Sequence, residues 1–200
     1  MPETRKLAAI MFTDIIGYSA LMSKDEQKAL RVLEKNREVH KAAILEFNGE
    51  FIKEIGDGTL SIFPTSSDAV NCAMALQEAC CKDQDFNIRI GIHMGEVVMV
   101  DNDVFGDGVN IASRIEATGA SGGIYISERV YEDIKNKTGI NAVFVGEKKL
   151  KNISHPVKVY EVGKEGPLSS SQPATAVLKS DDPKKKKRKA IILTVTLSEI

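Results

Sequence analysis

Cysteine is scarce in this chain, occurring only at Cys72, Cys80 and Cys81, and that scarcity excludes two architectures at once. An odd count crowded onto one predicted helix, without metal-ligand spacing, supports neither a disulfide framework nor a zinc site. Free cysteines of this kind are expected as small apolar core residues. An excess of charge is missing as well: 27 basic against 28 acidic residues give a formal net charge of -1. That balance removes the electrostatic footprint of a nucleic-acid binder. Long hydrophobic runs are absent too. The apolar stretch that follows Met1 to Lys6 stops at Asp14, too early for the core of a secretory signal. A second stretch, Ala190 to Leu197, falls far short of the roughly 20 apolar residues that span a bilayer. What is present, 42% hydrophobic and 28% charged residues over 200 positions, is enough for one cytoplasmic domain with its own core and an appended tail.

Periodicity gives the order of elements. Residues 6 to 13 read as a buried strand, and residues 15 to 22 as a turn or short helix opening at Gly17. Ser23 and Glu26 form a capping box for a long amphipathic helix over 24 to 47, which Asn48-Gly49 stops. Residues 50 to 55 and 59 to 63 flank Gly56-Asp57-Gly58 and read as a hairpin. Pro64 and the Thr65 to Asp68 cluster open a helix that runs to about Cys81. A strand over 87 to 100 alternates through Ile88, Ile90, Ile92 and Met94, with a bulge or bend expected at Gly95. The order β-α-β-β-α-β is the split βαβ arrangement of a ferredoxin-like core, an α+β fold with an antiparallel sheet covered by helices on one face. A helix at 107 to 118, a strand at 123 to 126, a helix at 127 to 136, and strands near 142 to 150 and 157 to 162 add β/α elements behind that core. The domain is thus expected over 1 to 163, with a linker at 164 to 183 and a basic and apolar tail at 184 to 200.

Two carboxylates draw the chemistry. Asp14 ends the first strand and Asp57 sits in the hairpin turn. Taken singly, one is an ordinary helix N-cap and the other an ordinary turn residue. The split βαβ order, however, can set both strand ends at one edge of the sheet, and two carboxylates sharing a site repel unless a cation lies between them. A hard, oxygen-seeking divalent ion such as magnesium suits them. Asn110 and Arg114 lie four residues apart in Val104 to Arg114, so a helix presents both on one face. Together these groups describe a phosphoryl-transfer site.

Four ordered blocks, Phe12 to Tyr18, Lys53 to Gly58, Arg89 to Gly95 and Val104 to Glu116, are similar to the catalytic domain of class III nucleotidyl cyclases, over about residues 5 to 163. The resemblance implies the class III cyclase fold, and conversion of a nucleoside triphosphate to its 3′,5′-cyclic monophosphate and pyrophosphate at sites shared by two subunits. It implies that Asp14 and Asp57, with the Ile15 carbonyl, hold two Mg2+ or Mn2+ ions. It casts the backbone N–H groups of Ile16, Gly17, Tyr18 and Ser19, and the side chain of Lys151, as contacts to the phosphates. Asn110 is expected to orient the ribose and Arg114 to meet the phosphate as charge redistributes. Lys53 and Asp103 match the base-reading pair, with Asp101 as the fallback for Asp103.

Adenine offers an amino donor at N6 and an acceptor at N1, which a carboxylate and a lysine complement; guanine reverses both polarities. ATP is therefore the expected substrate and a homodimeric adenylyl cyclase the expected enzyme. The alternatives are a noncatalytic nucleotide-binding module of the same fold and a guanylyl cyclase. A dinucleotide cyclase is disfavoured because no Gly-Gly-Asp/Glu-Glu-Phe-type run occurs. His93 is expected to be structural, and His40 and His155 carry no functional signal. Lys184 to Lys189 is read as a solvated charge run, a contact to anionic membrane lipid or a nuclear-localisation-like patch, and Ala190 to Leu197 as either a solvated tail or the beginning of a membrane segment.

Overall fold

The computed structural model describes residues 4–83 and 86–163. The linker expected at 164 to 183 and the tail expected at 184 to 200 lie outside the described residues. The elements run β1 (Thr4–Ile15), α1 (Tyr18–Lys24), α2 (Glu26–Glu46), β2 (Glu50–Ile55), β3 (Gly58–Phe63), α3 (Ser66–Asp83) and β4 (Ile88–Val100). They continue with β5 (Asp103–Phe105), α4 (Asp107–Thr118), β6 (Ile124–Ser127), α5 (Glu128–Ile134), β7 (Asn141–Lys148) and β8 (Val157–Gly163).

The sheet order is β2-β3-β1-β4-β6-β8-β7, with β5 paired to β4. Its first four strands are the ferredoxin-like core, antiparallel throughout. The added strand β6 joins β4 in parallel. β1 is apolar almost without alternation because both its faces are covered. Ala9, Met11 and Ile15 enter the larger core beneath α1, α2, α3 and α5, while Ala8, Ile10 and Phe12 pack with β5 and α4 on the other face. Helices therefore cover both faces of this sheet, not one.

The expected capping box is replaced by a different cap. Ser23 lies inside α1, where its hydroxyl donates to the Ser19 carbonyl at 3.0 Å. The break between α1 and α2 falls at Asp25, with φ -151° and ψ 87°, and the Asp25 carboxylate accepts from the Lys28 N–H at 2.9 Å. At its other end α2 closes as a Schellman motif. Asn48 is left-handed at φ 59°, and the Gly49 N–H donates to the Ile44 carbonyl at 2.7 Å.

No bulge occurs at Gly95. The pairing of β1 with β4 is unbroken from Thr4–Met99 to Ile15–Ile88. Glycine suits the position because α4 comes close: a Cβ on Gly95 would stand 3.2 Å from Gly108 Cα. Gly91 is tighter still, since its Cβ would lie 2.2 Å from the backbone nitrogen of Glu116. Cys72 and Cys80 are buried as expected, whereas Cys81 is exposed on α3.

Candidate active site

Asp14 leaves the end of β1 on the α4 face. Asp57 reaches the same place because the two-residue turn between β2 and β3 folds against that strand end. A Cβ on Gly58 would lie 2.7 Å from the Thr13 carbonyl, so only glycine lets the turn approach so closely. Burial raises the Asp14 pKa, and the Asp57 carboxylate raises it further; Arg89 pulls the other way. The Arg89 guanidinium bridges two elements, with Nη2 3.0 Å from Asp14 Oδ2 and Nε 2.5 Å from Glu116 Oε1 on α4. Glu116 is likewise pushed up, chiefly by burial.

Among the described residues, no group of three or more His, Cys, Asp or Glu side chains is arranged to hold a metal ion. Asp14 and Asp57 nonetheless fit a divalent cation. Both offer hard oxygens, and the Asp57 carboxylate adds to burial in raising the Asp14 pKa, a cost that a cation between them would relieve.

Lys53 and Asp103 meet as an ion pair, Nζ to Oδ2 at 2.6 Å. The hydrogen bond from Lys53 holds the Asp103 carboxyl below its ordinary range. A bulge in β2 aims the lysine. Phe51 pairs with Ser61 and faces α2, where Lys41 Nζ stands 5.4 Å from its ring centroid. Strict alternation would turn Lys53 the same way. The register instead shifts between Phe51 and Lys53, so Ile52 is the extra residue. Lys53 pairs with Leu60, whose side chain packs beneath β5 and α4, and so Lys53 faces Asp103.

Asn110 and Arg114 share α4 as the spacing predicts. Asn110 is exposed; Arg114 is half-buried, and its Nε is buried with no hydrogen-bond partner. Among the described residues, no hydrogen bond or ion pair joins either of them to Asp14 or Asp57. One expected phosphate contact is corrected: the Ile16 N–H already donates to the Asn87 carbonyl at 2.9 Å. The first-turn N–H groups beyond Gly17, which is left-handed at φ 76°, have no acceptor within α1. Ile15 ends β1 with its side chain in the core, and Lys151 is exposed in a turn.

His93 is buried, with Nδ1 2.8 Å from Ser127 Oγ. Sequence reasoning missed Arg89 and Glu116 beside Asp14. Arg89 carried a usable signal: alternation puts Ile88, Ile90 and Ile92 in the core and Arg89 on the opposite face. Its partners are remote in sequence and left no trace there.

A fold with this topology, a carboxylate pair where the β2–β3 turn meets the end of β1, and an Asn/Arg pair on α4 are those of a nucleotide cyclase domain. The sequence profile described as "Adenylate and Guanylate cyclase catalytic domain" matches residues 2–164, and the chain belongs to that family. "Putative adenylate cyclase 3" of Rhizobium meliloti (strain 1021) is 38% identical over 164 residues, covering 78% of this chain and 28% of its own. An adenylate cyclase of Anabaena cylindrica is 30% identical over 187 residues, covering 80% of this chain and 37% of its own. The chain thus spans about a third of the length of these relatives. The crystal structure of an adenylate/guanylate cyclase/hydrolase from Silicibacter pomeroyi superposes with a TM-score of 0.75 at 34% identity, covering 80% of this chain and 98% of that one.

Proposed function

We propose that this domain is an adenylyl cyclase, converting ATP to 3′,5′-cyclic AMP and pyrophosphate in a homodimer whose two sites each draw on both chains. The observation that carries the reading is the Lys53–Asp103 pair, a cationic donor and an anionic acceptor 2.6 Å apart. Adenine can replace that contact by offering N1 to Lys53 and its N6 amino group to Asp103. Guanine would set its N1 donor against the ammonium and its carbonyl against the carboxylate.

Asp14, Asp57 and the Ile15 carbonyl would hold two Mg2+ or Mn2+ ions, which when bound neutralise α-phosphate charge and acidify the ribose 3′-hydroxyl. The first-turn N–H groups of Gly17, Tyr18 and Ser19 and the Lys151 ammonium bind the outer phosphates. Asn110 holds the ribose so that its 3′-oxygen lies in line with the α-phosphorus. The new 3′-O–P bond forms as the bond to the bridging oxygen breaks. The hydroxyl proton passes to solvent water, and pyrophosphate carries away the bonding pair. Arg114 donates to the α-phosphate oxygens as that charge moves, a contribution of order 10² to 10³ in rate. As the likeness to the cyclase family implies, Asn110 and Arg114 serve the triphosphate held by the other chain.

The test is cyclic nucleotide formation by the full chain with ATP or GTP and Mg2+ or Mn2+. Cyclic AMP is expected from the parent and none from Asp14→Ala. Lys53→Glu with Asp103→Cys is expected to move preference toward GTP. Unchanged selectivity would show that base choice lies elsewhere, and tight ATP binding without product from a dimer would identify a noncatalytic module.

A further inference from the structure

Helix α2 lies on the sheet face away from the candidate site, yet polar contacts tie it to strand positions that adjoin site residues. Thr13 precedes Asp14, and the Thr13 hydroxyl lies 2.9 Å from His40 Nε2 in a buried contact. His40 Nδ1 is 2.8 Å from the Asn36 carbonyl. A carbonyl only accepts, so Nδ1 carries the ring proton and Nε2 accepts from Thr13. Glu54 follows Lys53, and Arg37 grips it through three contacts, Nε at 2.8 and 3.0 Å and Nη2 at 2.9 Å. Neighbours along a strand project to opposite faces. Each grip on the α2 face therefore holds backbone whose adjacent side chain enters the site.

The seam between α2 and the sheet packs Val32 and Ile44 as hydrocarbon but also encloses polar groups. Asn36 Oδ1, Thr59 Oγ1 and Ser61 Oγ are buried there without a hydrogen-bond partner. Thr59 pairs with both Thr13 and Glu54, so it stands between the two grips. Replacing such groups by apolar ones of the same shape is generally neutral or stabilising. Stability alone does not account for this seam.

We propose that α2 positions the reacting groups on the opposite face, His40 setting Asp14 through Thr13 and Arg37 setting Lys53 through Glu54. The inference rests on Asp14 as a metal ligand and Lys53 as a base reader. His40 and Arg37 touch neither metal nor nucleotide; they are positioning residues. The two grips act on different groups and so leave different signatures. A general loosening of the fold would not separate them.

The experiment uses the full chain and two readouts, Mn2+ binding followed by its paramagnetic resonance signal and the ratio of kcat/KM for ATP and GTP. His40→Leu and Thr13→Val are expected to weaken Mn2+ binding by about tenfold, the low end for a group that orients a ligand. They leave the ATP:GTP ratio unchanged. His40→Gln, whose amide oxygen can accept from Thr13, restores the affinity. Arg37→Met and Glu54→Gln are expected to change the ATP:GTP ratio by about threefold, the reach of a half-exposed ion pair, with Mn2+ affinity unchanged. Parent values for both readouts in all four variants, or both readouts moving together in each, would overturn the proposal. An arm whose own readout stays at the parent value overturns that half. Loss of Mn2+ binding in Asp14→Ala is the control for the underlying reading. If the parent itself binds no Mn2+, the metal assignment falls and the proposal falls with it.

Discussion

At the scale of single residues, the site is a set of charges held against their preference. Asp14 and Glu116 are both raised by burial, and Arg89 bridges them. Arg114 is the contrast: among the described residues its buried Nε has no hydrogen-bond partner. Under the proposed function the α-phosphate supplies that partner. Arg114→Ala is accordingly expected to lower kcat by about 10² to 10³, while KM for ATP changes by less than about threefold, the pattern of an interaction made in the transition state. Steady-state kinetics on the purified variant checks it. A large rise in KM with kcat preserved would instead make Arg114 a ground-state binding residue.

Among elements, α4 does the most to assemble the site. It carries Asn110 and Arg114, anchors Arg89 through Glu116, and comes closest to β4 at Gly91 and Gly95. A methyl on Gly91 would meet the backbone of Glu116 at 2.2 to 2.6 Å, so the helix itself must move. Gly91→Ala is expected to cost about 1 to 3 kcal/mol, as overpacking does. Gly163→Ala, where a Cβ meets nothing within 4 Å, should change stability by less than about 0.5 kcal/mol. Urea unfolding of the two variants beside the parent measures the difference. β2 supplies a second device of this kind. Its bulge at Ile52 sends Phe51 to α2 and Lys53 to Asp103, which an evenly alternating strand cannot do.

For the whole molecule, two buried histidines couple folding to acid. His40 and His93 are both lowered from 6.5 to about 4, chiefly by burial, so each is neutral in the folded chain at neutral pH. Between pH 6.5 and about 4 the unfolded chain binds the additional protons, and stability is lost as pH falls through that window. The slope reaches at most about 1.4 kcal/mol per pH unit for each histidine. Asp14 and Glu116, with raised values, push the opposite way near the acid end. The clean observable is therefore a difference. Unfolding free energy against pH for His93→Gln should be flatter than for the parent, with the carboxylate contribution cancelling. Assembly gives the other prediction at this scale. Asp57→Ala and Arg114→Ala, each inactive alone, should recover about a quarter of parental activity on equimolar mixing. Half of randomly exchanged dimers would be mixed, and each would keep one intact site of two. No recovery after demonstrated subunit exchange would sink the shared site.

Among the described residues, no helix is long and apolar enough to cross a membrane. What the sequence by itself determined is whatever local pattern encodes. Alternation and turn residues set the element order, including the β-α-β-β-α-β run and the later strands, to within a few residues, apart from the short β5, which was not expected. The four blocks pointed to the family and named Asp14, Asp57, Lys53, Asp103, Asn110 and Arg114 as candidates. Where local patterns compete, the reading slipped. Ser23 and Asp25 are both acceptable caps, and only the length of α1 chose Asp25. Gly95 reads as a bend in sequence, but it is the small residue that lets α4 approach. The tertiary structure alone decided which distant groups meet: Arg89 with Asp14 and Glu116, His40 with Thr13, Lys53 with Asp103 across a bulge. Those pairings depend on register, on strand face and on how closely helices approach the sheet. None of the three is a property of neighbours in the chain.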